Sequence, residues 1–289
     1  GSIWDTDTQS WRLEGGFEAA AKQQDGSLYE WPIHENIHAW MCPATETWQN
    51  KVFDFTSKLV WDHGVDGVYL DVLSAGRARP CYDPDHGHPI HGGNYWGQGN
   101  RRLVDSLRKR VRARKPDAVF TTEEICEIYL DKFDAFLTLD VTRGGYIPPV
   151  MLLPLFTAVY HDYAIQYGSD CALSSDPELF CPLLAEHFVW GAKLTLSEIR
   201  PPEIGQSPVS AAYLRELARC YDSVGRKFLL EGQWLQPPEL DVPERLVHLV
   251  RKRKVDVPMP VVRRSLWRAP DGSVGLVMTN WTADAVPVG

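Results

Sequence analysis

The sequence predicts an α/β fold with parallel strands, followed by a small all-β region. Three observations predict it. From Lys51 onward, segments with helical apolar spacing alternate with short strand-like runs. Five such strand-like runs fall between residues 67 and 197. Beyond Gly225 the texture changes to short apolar runs broken by Pro, Gly and Asp.

Residues 46–63 carry Trp48, Val52, Phe55, Leu59 and Val60 at helical spacing, and Gly64 ends that helix. Residues 67–71 (GVYLD) are a short strand, followed by a Gly- and His-rich loop to about residue 99. Residues 100–115 form an amphipathic helix with Leu103, Leu107 and Val111 on one face, stopped by Pro116 and Asp117. Residues 118–123 are the next strand, a helix follows around 125–133, and 135–140 is a third strand. Residues 155–160 read as a fourth strand and 193–197 as a fifth, with a helix over 178–192 between them. A helix over 208–223 ends near Gly225. Short strands then fall at 228–230, 261–262, 265–267 and 274–278, with Asp271-Gly272 as a hairpin signal. The expected division is 1–226 for the α/β part and 227–289 for the β-domain.

Composition narrows the function. The 289 residues are 44% hydrophobic and 24% charged, the balance of a globular protein, with a net charge of −8. An acidic chain does not offer the broad basic surface that a nucleic acid needs. The eight Lys and Arg of residues 100–115 lie opposite the leucines, as on a solvated outer helix, and the basic run 251–254 reads the same way. No apolar run is long enough to span a bilayer, and no GxGxxG or GxxxxGK[ST] phosphate loop occurs. The six cysteines (42, 81, 126, 171, 181 and 220) contain no CxxC pair and read as buried thiols. The 11 Trp, 11 Tyr and 10 Phe include several Trp beside Gly, Pro, His or Asn. Core packing accounts for them in the ordinary way; a cleft that stacks sugar rings is the sharper reading.

Chemistry in parallel α/β folds sits at the C-terminal ends of strands, which singles out Asp71, Glu123, Asp140, His161 and Glu198. Side-chain alternation sharpens the choice. Val68, Leu70 and Val72 form one apolar set, leaving Gly67, Tyr69 and Asp71 on the other face. Phe120 is the large apolar residue of the next strand, so Val119, Thr121 and Glu123 share a face and Glu124 points away. Two carboxylates on adjacent strand ends suit glycoside hydrolysis, in which a retaining pair stands about 5–5.5 Å apart. Structural ion pairing or loop capping by the same residues is the open alternative.

Residues 64–71 (GVDGVYLD) resemble the fourth-strand motif of α-galactosidase-like and endo-α-N-acetylgalactosaminidase-like (β/α)8 glycoside hydrolases. Residues 41–45 (MCPAT), 85–89 (DHGHP), 92–96 (GGNYW) and 159–163 (VYHDY) are similar to a bacterial family of that superfamily. The resemblance spans roughly residues 1–225. It implies a partial (β/α)8 TIM barrel, about strands 3–8, followed by the β-domain. It implies a retaining hydrolase of α-linked glycosides with Asp71 as nucleophile and Glu123 as acid/base. In the α-galactosidase branch the acid/base maps instead to Asp140. Glu124, standing where the family pattern has Gly, keeps the choice of carboxylate open. The implied substrate contacts are Tyr69, His88, Trp96, Tyr160 and His161, with a carbohydrate as partner and no cofactor. It also implies that residues 3–5 are the tail of strand three and that the chain is a piece of a longer protein.

His86, His88 and His91, with Asp83 and Asp85, form a cluster that a divalent ion favours, yet Gly and Pro interrupt it and the spacing is not HExxH. A substrate-facing loop without metal is the preferred reading. A non-catalytic carbohydrate binder and a metal-dependent hydrolase built on residues 83–91 are the competing functions.

Overall fold

The structure is a computed structural model that describes residues 1–139, 153–168, 172–195, 199–249 and 255–289. Asp140, Cys171, Glu198 and the basic run 251–254 lie outside the described residues. The chain forms two compact units, Gly1–Asp134 and Ala135–Gly289. No helix among the described residues is long and apolar enough to cross a membrane.

In the first unit, β1 (Ile3–Asp5), β2 (Glu30–Ile33) and β3 (Asn36–Trp40) make an antiparallel sheet in the order β1-β3-β2. β1 was expected as the tail of a parallel strand; its residues pair antiparallel with β3 instead. The helix Glu46–Trp61 then leads into β4 (Gly67–Leu70), and the helix Tyr95–Arg112 crosses over to β5 (Val119–Glu123). β4 and β5 run parallel, from Gly67 opposite Val119 to Leu70 opposite Thr122. This unit is the predicted strand–helix–strand crossover, and of the apolar positions read on 46–61 the helix buries Trp48, Val52 and Val60 but leaves Phe55 and Leu59 exposed.

The crossover helix buries Leu103, Val104, Leu107 and Val111. Its cations face acids and rings. Arg101 pairs with Asp131 at 2.7 Å, Arg112 with Asp134 at 2.7 Å, and Arg110 lies 3.2 Å from the Phe53 ring centroid. Asp134 also accepts the Phe120 backbone N–H at 2.7 Å, tying helix to strand.

In the second unit, β6 (Ala135–Leu137) and β7 (Ile165–Tyr167) are parallel, and Tyr167 bridges to Lys193 in the same sense. Residues 155–160 form the helix Leu155–Tyr160 rather than a strand. Pro154 fills the N-cap position, and the strand at this point comes from Ile165–Tyr167 instead. The helices Pro177–Val189 and Pro208–Cys220 follow the expected pattern, but 228–230 closes the helix Arg226–Leu229 instead of starting a strand. The β region holds β8 (Gln233–Leu235), β9 (Glu244–Leu249), β10 (Val255–Pro260), β11 (Val262–Arg268) and β12 (Val274–Asn280). β12-β11-β8 is one antiparallel sheet and β9 pairs with β10. They share one apolar core with the buried helix Pro177–Val189, centred on Trp267. No closed barrel is formed among the described residues.

Gly191 tests that core. Its φ is +78°, and a Cβ there would stand 2.6 Å from His161 Nε2 and 2.8 Å from the Trp267 ring. Gly191→Ala adds a left-handed strain of about 1–2 kcal/mol to an overpacking cost of about 1–3 kcal/mol. Denaturant unfolding should show the midpoint fall with the slope unchanged.

Candidate active site

β4 and β5 lead into the two predicted carboxylates. Leu70 stands opposite Thr122 in parallel register; Asp71 is the first residue beyond β4 and Glu123 the last of β5. Neighbouring strands lie about 4.8 Å apart. Phe120 and Thr122 are fully buried and Leu70 nearly so, whereas Tyr69 is exposed and Thr121 and Glu123 are half-buried. The side-chain alternation read from the sequence therefore holds: Tyr69, Asp71, Thr121 and Glu123 share the more open face.

Both strands bend sharply just past these carboxylates. Val72 has φ 64° and Glu124 has φ 61°, left-handed conformations for residues with a Cβ. A β-branched residue there is a strained outlier, and strain of this kind persists where surrounding contacts over-determine it. Those contacts are visible. The Thr122 hydroxyl donates to the Leu70 carbonyl at 2.9 Å and accepts from the Ser74 backbone N–H at 3.3 Å. The Ser74 hydroxyl donates to the Glu124 carbonyl at 2.7 Å. A hydroxyl pair thus fastens the turn after Asp71 to the turn after Glu123.

The other predicted residues divide. Tyr69 shares the face of Asp71 and Glu123. Glu124 occupies the turn, where its left-handed φ accounts for a Gly in the family pattern. Asp140 lies outside the described residues. Trp96 was expected against a sugar ring, but it is buried with Trp40, Cys42, Val72, Cys81 and Tyr95. His88 is half-buried, stacks on Tyr95 at 4.0 Å and turns its ring edges to protein atoms. His161 is also corrected. Its ring is buried, with Nδ1 3.0 Å from the Gly232 carbonyl and Nε2 2.9 Å from that of Leu229, and burial lowers its pKa. Tyr160, in the same unit as His161, packs on Phe156 at the end of the helix Leu155–Tyr160. Among the Trp that stand beside Pro or His in the sequence, Trp31 is exposed, stacked on Trp40 at 5.3 Å with planes 2° apart.

The residues able to hold a metal are not the set expected. Asp83 caps the turn Pro84–His86 by accepting from the Asp85 N–H, and His91 is exposed. His86 and His88 instead meet Cys42 and Cys81, with the four donor atoms within 4.8 Å of one another. The cysteines were missed because 38 residues separate them in the sequence.

A family model described as "Domain of unknown function (DUF6259)" matches residues 1–170. A protein of Bacteroides thetaiotaomicron named "Putative glycoside hydrolase" is 30% identical over 169 residues, covering 58% of this chain and 24% of its own. A Monosiga brevicollis protein named "Putative glycoside hydrolase 22789" is 34% identical over 155 residues, covering 53% of this chain and 13% of its own. The chain thus spans about a quarter or less of the length of these relatives. The structure is similar in fold to an α-N-acetylgalactosaminidase of Bifidobacterium bifidum, solved with GalNAc, at TM-score 0.56 and 17% identity. That match covers 100% of this chain and 41% of the solved one.

Proposed function

From the premise that the chain belongs to the DUF6259 family, we propose that it carries the two-carboxylate site of a retaining glycoside hydrolase acting on α-linked sugars. Its relatives' names support a glycosidase at the level of the family. The observation that supports the finer reading is the β4–β5 register, in which Leu70 stands opposite Thr122 immediately before Asp71 and Glu123. A strand spacing of about 4.8 Å lets side chains at adjacent strand ends approach the roughly 5–5.5 Å of a retaining pair.

In this mechanism Asp71 attacks the anomeric carbon while Glu123, protonated, donates to the departing glycosidic oxygen. The C–O bond to the leaving group breaks as the bond to Asp71 forms. Glu123, now ionised, takes a proton from water, which displaces Asp71 and regenerates both carboxyls. Thr122 and Ser74 act as positioning residues through the two turns. Within this proposal residues 1–226 belong to a partial (β/α)8 barrel and 227–289 to a β-domain, and a carbohydrate is the partner.

The test uses the full-length protein. A screen of aryl α-glycosides identifies a turned-over sugar, and the corresponding 2-deoxy-2-fluoro glycosyl donor then traps the covalent intermediate. Peptide mass spectrometry should place the label on Asp71. Turnover with the label on another carboxylate, or with no covalent intermediate, overturns the assignment.

A further inference from the structure

The Cys and His cluster has the form of a closed metal site. We propose that Cys42, Cys81, His86 and His88 bind one structural zinc ion, independently of the carboxylate chemistry. Cys42 Sγ lies 3.4 Å from His88 Nε2, and Cys81 Sγ lies 3.4 Å from His86 Nδ1. Zinc bonds of about 2.3 Å to sulfur and 2.0–2.1 Å to nitrogen give a tetrahedron with edges of roughly 3.3–3.8 Å. The four donors all lie within 4.8 Å of one another, so small side-chain movements close them on one ion. Two thiolates and two imidazoles in tetrahedral array select zinc among common divalent ions.

The surroundings supply the outer contacts that such sites require. His86 uses its remaining nitrogen, Nε2, toward the Glu18 carbonyl at 2.6 Å, with Asp83 at 3.4 Å. His88 uses Nδ1 toward the Pro89 carbonyl at 2.9 Å. Each contact protonates the outer nitrogen and leaves the inner lone pair facing a sulfur, which is how second contacts fix a ligand's tautomer. A backbone contact reaches a sulfur as well: Cys81 Sγ accepts the Lys22 N–H at 3.4 Å. Both cysteines and His86 are buried, and His88 is half-buried.

Local structure explains how the loop delivers three ligands. Gly87, at φ +68°, reverses the chain between His86 and His88. The His91 N–H closes the loop on the Cys81 carbonyl at 2.7 Å. An ion here would join the loop after β4 to the segment between β3 and the helix Glu46–Trp61. It would sit in the same apolar cluster as Val72, the strained residue after Asp71. Four protein donors fill the tetrahedron and leave no position for a reacting water, so the site is structural rather than hydrolytic.

The full-length protein, purified without an affinity tag from zinc-supplemented cells, should carry zinc by elemental analysis. The double variant C42S/C81S should carry about one zinc per chain less. Because loss of two buried thiols can itself unfold that variant, the wild-type protein is also stripped and titrated with cobalt(II). A thiolate-to-cobalt charge-transfer band with tetrahedral d–d bands is expected, and zinc should abolish both. His88→Cys should keep the metal and intensify the charge-transfer band. A zinc-free chain, a Cys42–Cys81 disulfide, no thiolate band, or a spectrum unchanged in His88→Cys overturns the proposal.

Discussion

Asp71→Asn in the full-length protein is expected to lower turnover of an aryl α-glycoside by on the order of 10⁴-fold or more. Glu123→Gln is expected to cost about 10²–10⁴-fold. The difference follows from their roles. Without Asp71 no covalent intermediate forms by the normal route. Without Glu123, an aryl leaving group that departs readily still allows the first step, and hydrolysis of the intermediate becomes slow. Azide separates the two: it should rescue Glu123→Ala with a product of retained configuration and Asp71→Gly with an inverted one. The pH profile supplies a second readout. The high-pH limb of the wild-type bell belongs to the protonated acid, so it should vanish in Glu123→Gln. Glu124→Gly is the control, because at φ 61° glycine carries no Cβ penalty. It should keep turnover if Glu123 is the acid/base. Unchanged turnover in Asp71→Asn would end the assignment.

The alternation along β4 and β5 was legible because local rules and the fold agree. Strand parity at 67–71 and 119–123 depends only on alternation, and the buried Phe120 and Thr122 obey it. The helices on either side of β4 were legible for the same reason, since a two-sided amphipathic pattern admits one periodicity. The errors fall where a short apolar run admits two. Residues 155–160 read equally as strand or as one and a half turns of helix, and 228–230 is too short for its sequence to choose. The hairpin β2–β3 escaped because its tip sits at His34, which takes φ 55° where a turn glycine usually signals the reversal. His88, Trp96 and His161 were misplaced for another reason. The family resemblance implied ligand contact for all three, and short motifs do not show which neighbours a ring will have. Here Cys42, Tyr95 and the carbonyls of Leu229 and Gly232 occupy the ring edges and faces. Spacing alone carries no trace of the meeting of Cys42 with Cys81.

Arg263→Ala is expected to destabilise the chain by about 3–5 kcal/mol at neutral pH, the cost of leaving a buried charge unpaired. Glu186 is fully buried on the helix Pro177–Val189, and Arg263 of β11 is its ion-pair partner. Burial raises the Glu186 pKa above its ordinary 4.5, and the Arg263 charge opposes that rise. Removing the guanidinium removes the opposition, so the folded-state pKa climbs further while the unfolded value stays. A raised carboxyl binds more protons when folded than when unfolded. The native state is therefore favoured below about pH 4.5, and that stability is lost as pH rises through the folded pKa. The penalty in Arg263→Ala should accordingly shrink as pH falls toward that value. Glu186→Gln in the Arg263→Ala background should recover much of the loss at neutral pH, because a neutral amide is cheaper to bury than a lone carboxylate. Denaturant unfolding of the four proteins in this cycle, at several pH values, measures the coupling directly. A penalty for Arg263→Ala that does not change with pH would place its cost in lost packing instead of the Glu186 charge.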